Sequence, residues 1–172
     1  MSRIAAAVLL LLSLSSPSRA DSLEIVKGDV VLRTGAGEQS LTQSHDISKA
    51  VSSPDGAWIA YVRHFPPTKE EEEALPEGRS ELWLVDRTGT NRRLLLTGTA
   101  NGEVERTTAE INNILFGLAG DRIYFLTTAW AVSNAIHRDQ GGSYDDIWLV
   151  TPDGKTVRRV ADSMEKARRK MP

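Results

Sequence analysis

Short apolar runs separated by glycine turns dominate the chain from residue 46 onward. Trp58-Ile59-Ala60-Tyr61-Val62, Leu82-Trp83-Leu84-Val85, Ile123-Tyr124-Phe125-Leu126 and Ile147-Trp148-Leu149-Val150 are continuous rather than alternating. A strand wet on one face alternates apolar and polar residues; a strand covered on both faces does not. The runs are rich in β-branched and aromatic residues, which argues against helices. Pro54-Asp55-Gly56, Thr88-Gly89, Ala119-Gly120-Asp121 and Pro152-Asp153-Gly154 supply the turn chemistry between them. This punctuation predicts strands near Asp46–Val51, Trp58–Phe65, Glu81–Val85 and Arg92–Leu96, then near Glu110–Phe116, Arg122–Thr127, Asp146–Val150 and Val157–Ala161. The fourth segment of each set is the most charged, as suits an outer edge strand.

The two sets are copies of one unit. Ile59 matches Ile123 at an offset of 64, Trp83 matches Trp148 at 65, and Arg92-Arg93 match Arg158-Arg159 at 66. Middle strands buried on both faces beside a charged outer strand are the profile of a propeller blade stacked between neighbours. The pattern SPDGAWIAYV followed by ELWLVDRTGTNRRLLLTG, within Ser53–Gly98, resembles the repeat of TolB and of the N-terminal propellers of prolyl oligopeptidase-type enzymes. Leu118–Ala161 resembles it too, with Leu118-Ala119-Gly120 in place of Ser-Pro-Asp. Gly28–Thr42 is similar to the second half of a blade, Arg33-Thr34-Gly35 standing where Arg87-Thr88-Gly89 stands in the first full copy.

The resemblance implies an all-β fold: two four-stranded antiparallel propeller-type blades (45–98 and 109–162) plus an N-terminal half blade (23–44), an incomplete propeller. Propellers close with about 4–8 blades. End blades are therefore expected to expose apolar faces, a situation met by self-association, by adding blades to a partner, or by an open stack of sheets.

Residues 1–20 read as a signal peptide. Arg3 precedes the apolar run Ile4–Leu12, and Ser18-Arg19-Ala20 places small residues at the −3 and −1 positions of a cleavage site. The run is too short to span a bilayer, which needs about 20 apolar residues. Cleavage after Ala20 would release residues 21–172 into the periplasm or medium. Cysteine is absent, which excludes disulfides, a thiolate zinc site and a lipid anchor on an N-terminal cysteine. The charges, 21 basic against 23 acidic, argue against a nucleic-acid partner.

Few segments suggest chemistry. Thr68–Glu77 (TKEEEEALPE) reads as a solvated acidic loop, Thr68 and Glu71 forming a capping box. Thr127–Asp145 carries Trp130, His137, Asp139, Tyr144 and Asp145, mixing aromatic, imidazole and carboxylate groups on what reads as a loop, and so is the candidate binding loop. His45, His64 and His137 are scattered, no H-E-x-x-H or G-x-S-x-G occurs, and no glycine motif opens a helix. No catalytic, metal or cofactor site is expected. The basic tail 163–172 reads as a frayed terminus. The expected function is that of an exported, non-enzymatic binding or scaffold protein of the bacterial envelope, with a protein partner or a second copy. The alternatives are an accessory peptide-binding module related to prolyl oligopeptidase-type propellers and a small-ligand or sugar sensor.

Overall fold

The computed structural model describes residues 21–70, 78–97, 106–131 and 143–162. They form three antiparallel sheets joined as meanders. The first contains β1 (Ser22–Val26), β2 (Asp29–Thr34) and β3 (Gly37–Ser40). The second contains β4 (Ile47–Ser52), β5 (Trp58–Phe65), β6 (Arg79–Asp86) and β7 (Arg92–Thr97). The third contains β8 (Arg106–Phe116), β9 (Ile123–Ala131), β10 (Ser143–Val150) and β11 (Val157–Asp162). Among the described residues no helix is long and apolar enough to cross a membrane.

Both expected blades are present, with most strands within a residue or two of their predicted limits. The N-terminal unit has three strands, one more than half a blade. The extra strand, β1, is joined to β2 through Lys27 and Gly28, both with positive φ (52° and 80°), as a two-residue hairpin turn of the primed type demands. Gly28 is doubly constrained there, because a Cβ at this position would lie 2.5 Å from the carbonyl oxygen of His45.

The blades are built by the same local chemistry. Ser53 N–H bonds to the Trp58 carbonyl (2.8 Å) and Gly56 N–H to the Ser53 carbonyl (2.9 Å) between β4 and β5. Sixty-four residues on, Gly117 bonds to Arg122 (2.9 Å) and Gly120 to Gly117 (2.8 Å) between β8 and β9. The Ser-Pro-Asp-Gly chemistry itself recurs elsewhere, as Thr151-Pro152-Asp153-Gly154 between β10 and β11. In each turn the aspartate accepts a bond from the hydroxyl two residues before it and from the N–H two residues after it. These bonds hold the Asp55 and Asp153 carboxyls below the ordinary value. The ladder between third and fourth strands shifts register at Leu82/Trp83 in one blade and at Ile147/Trp148 in the other.

The three sheets stack face to face around two cores. Val30, Leu32, Leu41, Ile47, Ile59, Tyr61 and Val85 fill the space between the first and second sheets. Ala60, Val62, Leu82, Leu84 and Leu95 meet Ile111, Ile114, Phe116, Ile123, Phe125 and Val150 between the second and third. Along β5 successive residues alternate between the two cores, so Ile59 to Val62 are all buried and no polar position interrupts the run. This is the pattern expected of a strand covered on both faces.

The third sheet differs. Ile123, Phe125 and Thr127 of β9 are buried, while Tyr124 and Leu126 between them are only half-buried, and Leu115 of β8 is 65% exposed. The expectation that all four central segments are covered on both faces therefore holds for β5 and β6 but not for β9 and β10. These are covered on one flank because no further sheet follows the third among the described residues.

Candidate interaction face

The repeat determines what each position faces. Ile47, Ala50, Ile59, Tyr61, Trp83 and Val85 of the first blade pack towards the preceding sheet. Their equivalents 64 or 65 residues later are Ile111, Ile114, Ile123, Phe125, Trp148 and Val150, and these also pack towards the preceding sheet. The aromatic pairs repeat as well: Tyr61 stacks on Trp83 with centroids 6.4 Å apart, and Phe125 on Trp148 at 6.5 Å. The opposite flank of the first blade presents Val51, Ala60, Val62, Leu82 and Leu84 to the second. Its equivalents on the second blade are Leu115, Tyr124, Leu126, Ile147 and Leu149. Ala60, Val62, Leu82 and Leu84 are completely inaccessible to solvent. Leu149 is buried as well, but Leu115 and Ile147 are 65% and 38% exposed. Together with Asn113, Tyr124 and Leu126 they line a depression of about 240 Å³.

The other end of the stack is built differently. Glu24 and Arg33 (2.8 Å) and Arg33 and Glu38 (3.0 Å) form an ion-pair chain on the flank of the first sheet that faces away from the core. That flank is finished for water, as the capping unit of a repeat array must be. The second blade's outward flank is not.

A second hollow lies at the seam of the first two sheets, lined by Thr42, Ser44, Tyr61, Arg63, Trp83 and Arg92 among others. Its charges are already engaged. Arg63 forms a bidentate pair with Asp46 (Nη2–Oδ2 2.6 Å) and lies 3.9 Å from Glu81, and Arg92 donates to the Leu41 carbonyl (2.6 Å). Burial raises the Tyr61 phenol above its ordinary value. The hollow is a polar seam that ties the sheets together.

The candidate binding loop is reshaped. Trp130 belongs to β9 and pairs with Ser143, while Tyr144 and Asp145 belong to β10, opposite Ala129 and Thr128. The aromatic and β-branched residues flanking the insertion extend the ladder into what reads as loop. His137 and Asp139 lie outside the described residues, as do the expected signal peptide 1–20, most of the acidic insertion (71–77) and the tail 163–172. Among the described residues no cluster of His, Asp or Glu could hold a metal ion. The outward flank itself carries no sequence signature, because its apolar residues read like those of the first blade.

Neither a family model nor a curated protein sequence matches the chain. Solved structures do. The chain is similar to a putative TolB from Agrobacterium tumefaciens (19% identity, TM-score 0.49, covering 78% of this chain and 41% of that one). It is similar to a chain of a nidogen/laminin complex (14%, TM-score 0.50, 83% and 43%) and to an acylaminoacyl peptidase from Pyrococcus horikoshii (14%, TM-score 0.53, 81% and 22%). It thus spans less than half the length of each. At these identities the likeness is one of fold. The chain has a β-propeller-type repeat fold, its described residues arranged as an open, incomplete propeller.

Proposed function

We propose that the chain is an exported, non-enzymatic binding module of the bacterial envelope that uses the outward flank of its second blade to engage another protein. One observation carries this reading. Tyr124, Leu126 and Ile147 occupy positions whose first-blade equivalents, Ala60, Val62 and Leu82, are sealed by a neighbouring sheet, and Leu115 that of half-buried Val51, yet all four are at least partly open to solvent. An open apolar surface on the flank of a sheet marks a protein contact. Export is supported by the Met1–Ala20 segment, with its basic start, apolar run and Ser-Arg-Ala end. The strand ends and connection bearing Trp130, His137, Asp139, Tyr144 and Asp145 are a proposed second contact beside this face.

Photo-crosslinking in the native host tests the reading. A photoreactive residue at Leu115 or Ile147 is expected to give discrete protein adducts in the envelope fraction. The same residue at Glu38, on the polar end, is expected to give none. Absence of adducts at Leu115 and Ile147, or adducts confined to Glu38, would overturn it.

A further inference from the structure

We propose that the hollow at the seam of the first two sheets is a binding site for a small organic carboxylate, held by the Tyr61 hydroxyl and the Arg92 guanidinium. It lies between the first and second sheets and does not rest on the reading of the second blade's open flank as a protein contact. Its volume is about 240 Å³, room for a molecule rather than a single water. Gln43, Ser44 and Arg92 are exposed in its lining, Thr42 and Tyr61 are buried, and the half-buried Trp83 ring forms a wall.

Tyr61 is only 3% exposed, yet among the described residues its hydroxyl makes no hydrogen bond. A buried hydroxyl without a partner is costly and calls for an occupant. The blade does not need this hydroxyl. The equivalent residue 64 positions later is Phe125, which makes the same stack on its tryptophan without one. Burial raises the Tyr61 phenol while Arg92 and Arg63 act to lower it, which places both guanidiniums within electrostatic reach of its oxygen. Asp46 and Glu81, which act the other way, both lie against Arg63.

What the lining has left to offer is donors. Thr42 Oγ1 already donates to Asp29 (3.1 Å) and accepts from Val30 (2.8 Å), and Arg63 is neutralised by Asp46. Arg92 is held by neutral carbonyls, its Nε on Gly89 (3.2 Å) and its Nη2 on Leu41 (2.6 Å). Among the described residues its charge therefore has no counter-ion and its Nη1 no acceptor. The bonds that tie the seam together also fix these donors in place before a ligand arrives. An acceptor with one negative charge completes the set, and a carboxylate presents one oxygen to the guanidinium and one to the hydroxyl. The Trp83 wall receives the apolar remainder of the molecule.

The test is a titration of the full chain, purified as the cell processes it, followed by nitrogen–proton NMR. The probes are acetate, benzoate, benzamide as the neutral counterpart of benzoate, and inorganic phosphate. Benzoate is expected to give saturable shifts, in the millimolar range, at the Trp83 indole N–H and the Arg92 Nε–H. Benzamide is expected to bind about tenfold more weakly or worse, for want of the charged hydrogen bonds. Tyr61→Phe is expected to weaken benzoate about tenfold without lowering the melting temperature, since Phe125 fills the same place in the second blade. Arg92→Gln is expected to abolish binding; if it fails to fold, Tyr61→Phe decides alone. No saturable shift with either carboxylate, benzamide binding as tightly as benzoate, or unchanged benzoate binding in Tyr61→Phe would overturn the site. Phosphate binding more tightly than both carboxylates would overturn the carboxylate as its ligand.

Discussion

At the level of single residues, acidic side chains join the first sheet to the second. Asp29 accepts bonds from Thr42 Oγ1 (3.1 Å) and the His45 N–H (3.1 Å) and lies 2.6 Å from His45 Nδ1, while Thr42 Oγ1 accepts the Val30 N–H (2.8 Å). Burial pushes the Asp29 carboxyl up, but the His45 and Thr42 bonds outweigh it and hold the group below its ordinary value of 3.8. Asp46 is likewise raised by burial and lowered further by Arg63, ending below 3.8. A carboxyl lowered by folding contributes stability that is present above pH 3.8 and is lost as pH falls towards its folded value. Thermal melts from pH 7 to 2 are therefore expected to show the melting temperature falling below about pH 4. Asp29→Asn is expected to melt lower than the parent at pH 7 and to lose less on acidification. An Asp29→Asn melting temperature with the full acid dependence of the parent would show that the Asp29 bonds add nothing.

At the level of the element, leucines on the equivalent flanks of the two blades separate what a side chain is from what covers it. Leu84 is fully buried between the second and third sheets, whereas Leu126 lies on the open flank, only half-buried. Leu84→Ala is expected to cost about 2–5 kcal/mol, the range for a large-to-small change in a packed core. Leu126→Ala removes the same atoms from a partly wet site and is expected to cost less than about 1.5 kcal/mol, since little cavity is left behind. Urea midpoints of dilute protein decide it; equal costs would mean that the flank is covered within the chain. The same contrast shows what the sequence could reveal. Strand positions and the repeat are local and were legible from glycine turns and the 64–66-residue offsets. The first strand was missed because Ser22–Val26 lies before the motif at Gly28 that marked the half blade. The strand ends bearing Trp130 and Tyr144 were read as loop because the nearest turn signal, Gly141-Gly142, lies inside the insertion. The open flank was illegible: Tyr124-Phe125-Leu126 has the same apolar continuity as Ala60-Tyr61-Val62, and coverage depends on a sheet that lies elsewhere in space.

At the level of the whole molecule, a stack of three sheets has one member with two neighbours and two members with one each. Stability in such an array is close to a sum of unit and nearest-neighbour terms. Opening the second sheet breaks both cores, while opening the third breaks only one. Amide hydrogens reflect that difference, because each exchanges through the cheapest opening that exposes it. In dilute solution the amides of β5 and β6 are expected to exchange more slowly than the equivalent amides of β9 and β10. Hairpin hydrogen bonding alone would make the two pairs alike, since both lie at the centres of four-stranded sheets. Protection of β9 and β10 that already equals that of β5 and β6 at high dilution would show that the chain closes its own flank, and the open-stack description would fail with it.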